Sequence, residues 1–237
     1  MTKLIDLKKI FTEASDVILQ AFESNDTQAG TEASPAQLIE VINQFFNIYE
    51  KLGHSHSNLI NKDSVSQIGE KTINYLIELS AWAKRLNLDQ ESAMLDEIAL
   101  EVAHWVIRHQ GEILSLDAVV NILAAKANST ADKEILSSLF HVISDVMEHA
   151  PAAVKNDADK SDPNRPWRML NFNFAIVATR TMNKDLMVRA FNTLGRNMPT
   201  DCPGFFEEGL KQSEKQIYGP EIKIIMAEYF KKWATLH

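Results

Sequence analysis

Apolar residues recur every three or four positions along nearly the whole chain of 237 residues, and no stretch alternates with the period of two that a half-buried strand requires. A chain patterned this way buries its apolar stripes by laying helices against one another. Its seven prolines and four of its eight glycines fall between or at the ends of the periodic segments, where they punctuate rather than interrupt.

The pattern predicts ten helices. The first covers about 4–22 and is followed by a polar stretch at 24–34. Ser34-Pro35-Ala36-Gln37 then combines an N-cap serine, proline at the first helical position and a capping-box glutamine. The helix it opens carries Leu38, Val41, Ile42, Phe45 and Tyr49 on one face and stops at Gly53. Further helices are expected over 64–86, from a cap at Asp89 to just before Gly111, and over 115–127, 131–149 and 166–182. Another follows a cap at Asn183, one starts near Pro203, and the last begins at Gly219-Pro220.

Two of these helices are apolar on two sides. The fourth places Leu95, Ile98, Val102 and Trp105 on one broad face, with Leu100 and Ile107 nearly opposite. The seventh carries Trp167, Leu170, Phe174 and Val177 on one side and Met169, Phe172 and Ile176 on the other. A helix of this kind sits between neighbours. The expected fold is all-α, with about ten helices in antiparallel hairpins. They form either an irregular αα-superhelix of helical-repeat type or a compact multi-helix bundle. Hairpin starts near 64, 116, 166 and 203 are too unevenly spaced for a strict repeat. The expected organisation is an N-terminal helical region at 1–149, a Pro- and Asp-containing linker at 150–165 and a C-terminal helical region at 166–237. One continuous domain is the alternative.

Composition narrows the function classes. A single cysteine, Cys202, excludes a disulfide framework and any cysteine-based zinc finger. Asp6, Lys8 and Lys9 interrupt the place where a signal peptide needs an unbroken apolar stretch, and no apolar run approaches the roughly 20 residues of a membrane span. The expected location is the cytoplasm, with no membrane contact. A formal net charge of −8 argues against a general nucleic-acid binder.

That charge is uneven. Residues 1–163 hold 13 Lys and Arg against 25 Asp and Glu, whereas 164–199 hold six basic residues against Asp185 alone. Five of the seven arginines lie in that short segment: Arg165, Arg168, Arg180, Arg189 and Arg196. Guanidinium groups suit bidentate recognition of carboxylate or phosphate, so these five are the candidate binding residues. The competing reading is that they pair internally with the acidic remainder of the chain, Asp185 being four residues before Arg189.

Metal chemistry has weaker support. Glu97, Glu101 and His104 share a polar stripe of the fourth helix, and Glu101-Val102-Ala103-His104 has the E-x-x-H spacing of di-iron bundles, which require two such motifs. His141 and His149 lie eight residues apart on the sixth helix, away from its buried side or at its edge. His54 and His56 share a loop, and Asp157, Asp159 and Ser161 begin like a calcium loop that fails at Asp162 and Arg168. Cys202 begins a helix, a position that lowers thiol pKa values, but Asp201 beside it opposes a thiolate. The chain also lacks the phosphate-binding and nucleophile-elbow motifs.

The resulting expectation is a non-enzymatic cytoplasmic scaffold or binding protein without a cofactor. It recognises a protein or peptide, an acidic one if the arginines are available; self-association is left open. One alternative is a metal-dependent helical enzyme using the Glu/His stripe. The other is RNA or phosphorylated-ligand binding through 165–196.

Overall fold

The computed structural model describes residues 4–25, 30–53, 61–156, 165–215 and 218–234. Among them the fold is all-α, with eleven α-helices, one 3-10 turn at Pro199–Asp201, and no strand. They are α1 (Leu4–Ser24), α2 (Pro35–Gly53), α3 (Lys62–Arg85), α4 (Asp89–Arg108), α5 (Leu116–Asn128) and α6 (Lys133–Glu148). Then come α7 (Ala152–Lys155), α8 (Pro166–Thr181), α9 (Lys184–Asn197), α10 (Cys202–Lys215) and α11 (Pro220–Ala234).

Local chemistry accounts for the helix starts. The Ser34 amide donates to Gln37 Oε1 at 2.9 Å and the Gln37 amide donates back to Ser34 Oγ at 3.4 Å, closing the reciprocal cap. Asn183 Oδ1 accepts from the amides of Asp185 and Leu186. At α4 the expectation is corrected: Asp89 is the first helical residue, and Leu88 occupies the cap without a side-chain bond. The reason is the preceding turn, where Asn87 takes a positive φ of 60° and sets the entry one residue earlier. α7 is the helix the periodicity did not show, since a single turn has no repeat to detect.

The chain divides into two compact units, Met1–Ile122 with His149–Pro151, and Leu123–Glu148 with Ala152–His237. The region expected as 1–149 is therefore shared between them. α6 belongs with the second unit because it packs on α8, where Phe140 and Phe174 stack with centroids 4.3 Å apart.

In the first unit α4 lies against both α3 and α1, as its two apolar sides require. Leu95, Ile98, Val102 and Trp105 are buried, and Leu100 is buried too. Gly69 of α3 lets α4 approach closely: a Cβ there would stand 2.2 Å from Val106 Cγ2. Trp105 meets Phe45 of α2 edge-on at 5.5 Å, and Trp82 Nε1 donates to the Ala33 carbonyl at 3.0 Å.

The second unit packs α8 on α6 and α9, and α11 on α9 and α10. Phe191, fully buried, meets both Phe206 and Tyr229 at 5.0 Å. Its buried Asn171 is satisfied on both sides, donating to the Trp167 carbonyl and accepting from Asn197, each at 2.8 Å. On α8 the expected two-sided burial holds for one side only. Trp167, Leu170, Phe174 and Val177 are buried, whereas Phe172 is half-buried and Ile176 is 44% exposed. That uncovered side borders a cleft.

Candidate functional site

Two clefts of the second unit take in residues of the arginine-rich segment. The first, of about 700 Å³, is polar and lies among α6, α7, α8 and α9. Arg189 and Arg196 line it, two turns apart on α9, together with Lys155 of α7 and Glu148 of α6. Arg189 is exposed and donates from Nη2 to Ser144 Oγ at 2.7 Å, with its guanidinium 5.6 Å over the Phe140 ring. Arg196 is also exposed and donates from Nη2 to Thr193 Oγ1 at 3.0 Å. Lys155 Nζ donates to the Glu148 carbonyl at 2.6 Å. These acceptors are neutral oxygens, and among the described residues neither arginine has an ion pair. Each guanidinium has five N–H donors, so one hydroxyl contact leaves most of its capacity for a ligand. Among the described residues the cleft carries three cations against one carboxylate.

The second cleft, of about 670 Å³, lies beside α8, α10 and α11 and is bordered by Arg168 and Arg180. Here the arginines are engaged. Arg168 donates to Asp201 Oδ1 from Nε at 3.1 Å and from Nη2 at 2.8 Å, and stacks 4.3 Å over Phe172. Arg180 donates from Nη1 to the Ala127 carbonyl at 2.7 Å and from Nη2 to the Thr130 carbonyl, closing the exit of α5. Gln212 is tied to Glu208 at 2.6 Å. What the cleft offers is therefore apolar: Phe172, Ile176, Phe205 and Met226, with Tyr218 at its side.

The five arginines do not converge. Arg189 and Arg196 share the polar cleft, Arg168 and Arg180 the apolar one, and Arg165 is the N-cap residue of α8. For Arg168 the pairing differs from the expected route: its carboxylate is Asp201, not one of the acidic first 163 residues. Asp185 does not occupy Arg189, whose Nη2 turns to Ser144.

The metal candidates form no cluster among the described residues. Glu101 and His104 approach at 3.9 Å on α4, and the imidazole beside it holds the Glu101 carboxyl below the usual range. Glu97 is on the same helix. His141 is exposed on α6 of the second unit, and His149 belongs to the first, where its carbonyl accepts from the Ile113 amide at 2.9 Å. Among the described residues no group of three or more His, Cys, Asp or Glu could hold a metal ion. His54 and His56, and Asp157, Asp159 and Ser161, lie outside the described residues.

Cys202 is fully buried, its Sγ donating to the Met198 carbonyl at 3.3 Å. Burial, reinforced by Asp201, pushes the thiol up to about 12, which removes it from nucleophilic chemistry at neutral pH. Among the described residues no helix is long and apolar enough to cross a membrane.

Lys155, Ser144 and Glu148 of the polar cleft were not evident from sequence, because they reach it from helices far from α9 along the chain. The apolar cleft did leave a signal: Phe172 and Ile176 exceed what α8 needs to seat itself on α6 and α9. Compared with protein-family models, curated proteins and solved structures, the chain matches none.

Proposed function

We propose that the protein is a non-enzymatic cytoplasmic binding module that recognises an acidic segment of a partner protein at the polar cleft of its second unit. The observation that carries this reading is the state of Arg189 and Arg196. Both are exposed, line one cleft and contact hydroxyl oxygens rather than carboxylates. Seven helical residues separate them, a rise of about 10.5 Å. Three residues of an extended polyproline II segment span about 9 Å and bring the side chain back to the same face, so carboxylates three positions apart can meet the two guanidiniums. Bidentate contacts from both would fix such a segment in register.

Fluorescence anisotropy with a labelled extended peptide bearing glutamate at every third position tests this. Binding is expected for the full chain, with at least a tenfold loss for the Gln-substituted peptide and for Arg189→Glu with Arg196→Glu. Equal affinity of the doubly reversed protein would refute the assignment. Tighter capture of an oligonucleotide, with a steep decline on adding salt, would favour a phosphate-bearing partner instead.

A further inference from the structure

The apolar cleft is a different kind of site from the polar one, and its chemistry restricts what it can hold. Its volume of about 670 Å³ falls within the roughly 300–1,000 Å³ of small-molecule pockets. Its charged rim is balanced and internally satisfied. Arg168 is bonded to Asp201, Arg180 to two backbone carbonyls and Glu208 to Gln212. Among the described residues the rim sets Arg168 and Arg180 against Asp201 and Glu208, two charges of each sign, so neither an anion nor a cation gains a net attraction there. Charge of either sign is thus desolvated in the cleft without net compensation.

The walls select in the same direction. Phe172 and Phe205 both line the cleft and pack on each other with ring centroids 5.4 Å apart, and Ile176 is 44% exposed. Tyr218 adds one polar group: among the described residues its hydroxyl has no hydrogen-bond partner. A tyrosine hydroxyl is a protonated donor at neutral pH, and burial raises its pKa further. Gly204 lines the cleft in the first turn of α10, and a Cβ there would meet nothing within 4 Å. The backbone at that point leaves room that no atom of the described residues takes.

We infer that this cleft is a binding site for a small uncharged molecule with an apolar body and one hydrogen-bond acceptor, which Tyr218 engages. The site is independent of the polar cleft and does not rest on recognition of an acidic partner.

The test uses the full chain and the neutral fluorescent probe N-phenyl-1-naphthylamine. Saturable binding of one probe per chain is expected, with displacement by n-decanol at least tenfold better than by decanoate or decylammonium. Gly204→Trp fills the cleft and Ile176→Glu places a charge on its wall. Either one, with helical circular dichroism retained, is expected to weaken the probe at least tenfold. Tyr218→Phe weakens decanol about fivefold while leaving the probe nearly unchanged, the size of one lost hydrogen bond. Arg189→Glu with Arg196→Glu leaves probe binding unaltered, which separates this site from the polar cleft. Absence of saturable binding overturns the inference. So does unchanged affinity in whichever of the two cleft variants folds, or displacement by the charged analogues as effective as by decanol.

Discussion

Arg168 and Asp201, 33 residues apart, share two hydrogen bonds to a single carboxylate oxygen, with side chains 21% and 18% exposed. This pair joins α8 to the 3-10 turn before α10, and it removes one arginine from any ligand role in the segment where arginines concentrate. Its guanidinium also covers Phe172, so the contact has an apolar component.

Replacing Arg168 by Ala is therefore expected to destabilise the protein by about 1–3 kcal/mol, through an unpaired half-buried carboxylate and lost packing. Asp201→Asn should cost less, because the amide oxygen still accepts. Urea unfolding of both variants and of the double variant measures the coupling. A value near zero would mean that the two charges contribute independently.

Cys202 makes the chain's stability depend on alkaline pH. The folded thiol is raised to about 12 from its usual 9.0, so between these values the unfolded chain loses a proton that the folded chain keeps. The unfolded state binds fewer protons there, and stability falls as pH rises through that window. Cys202→Ala should flatten the decline. In native protein at pH 8 the thiol should resist a disulfide-exchange reagent and react only after denaturation; rapid native labelling would contradict this burial.

Gly69 is the closest approach of α3 to α4 among the described glycines, and Gly69→Ala forces its Cβ into Val106. The expected cost is about 1–3 kcal/mol despite alanine's better helix propensity. Val106→Ala on the same chain should recover part of it, so the double variant is less destabilised than the two single losses added together. Additive losses in urea melts would show that the contact does not limit the packing.

Ser34→Ala removes the hydroxyl that closes the α2 cap and is expected to cost about 1 kcal/mol. Because Gln37 bonds the Ser34 amide as well as its hydroxyl, Gln37→Ala should cost a similar amount. Thermal melts of the two variants check this, and no shift in either would remove the cap from the forces that hold α2.

Most of the secondary structure is legible in the sequence, because its determinants are close along the chain. The 3.6-residue period marks each long helix, and Ser34, Pro35, Gln37 and Asn183 act within three residues of themselves. The two-sided pattern of α4 likewise announced that it lies between neighbours, since Leu100 and Trp105 cannot both be buried against one helix. For α8 the same reasoning overreached. An apolar side demands cover only if something is there to cover it, and beside Phe172 and Ile176 the structure leaves a cleft.

The sequence by itself determined an all-α fold and the concentration of arginines after residue 164. Only the tertiary structure decided what each arginine does. Arg168 finds its carboxylate 33 residues away and Arg180 its carbonyls 53 and 50 residues away, while Arg189 reaches back 45 residues to a hydroxyl. A helix's own period reports which side a residue faces, but the charge or carbonyl waiting there is supplied by another element. The difference between an arginine engaged in the fold and one open to a ligand is a long-range fact.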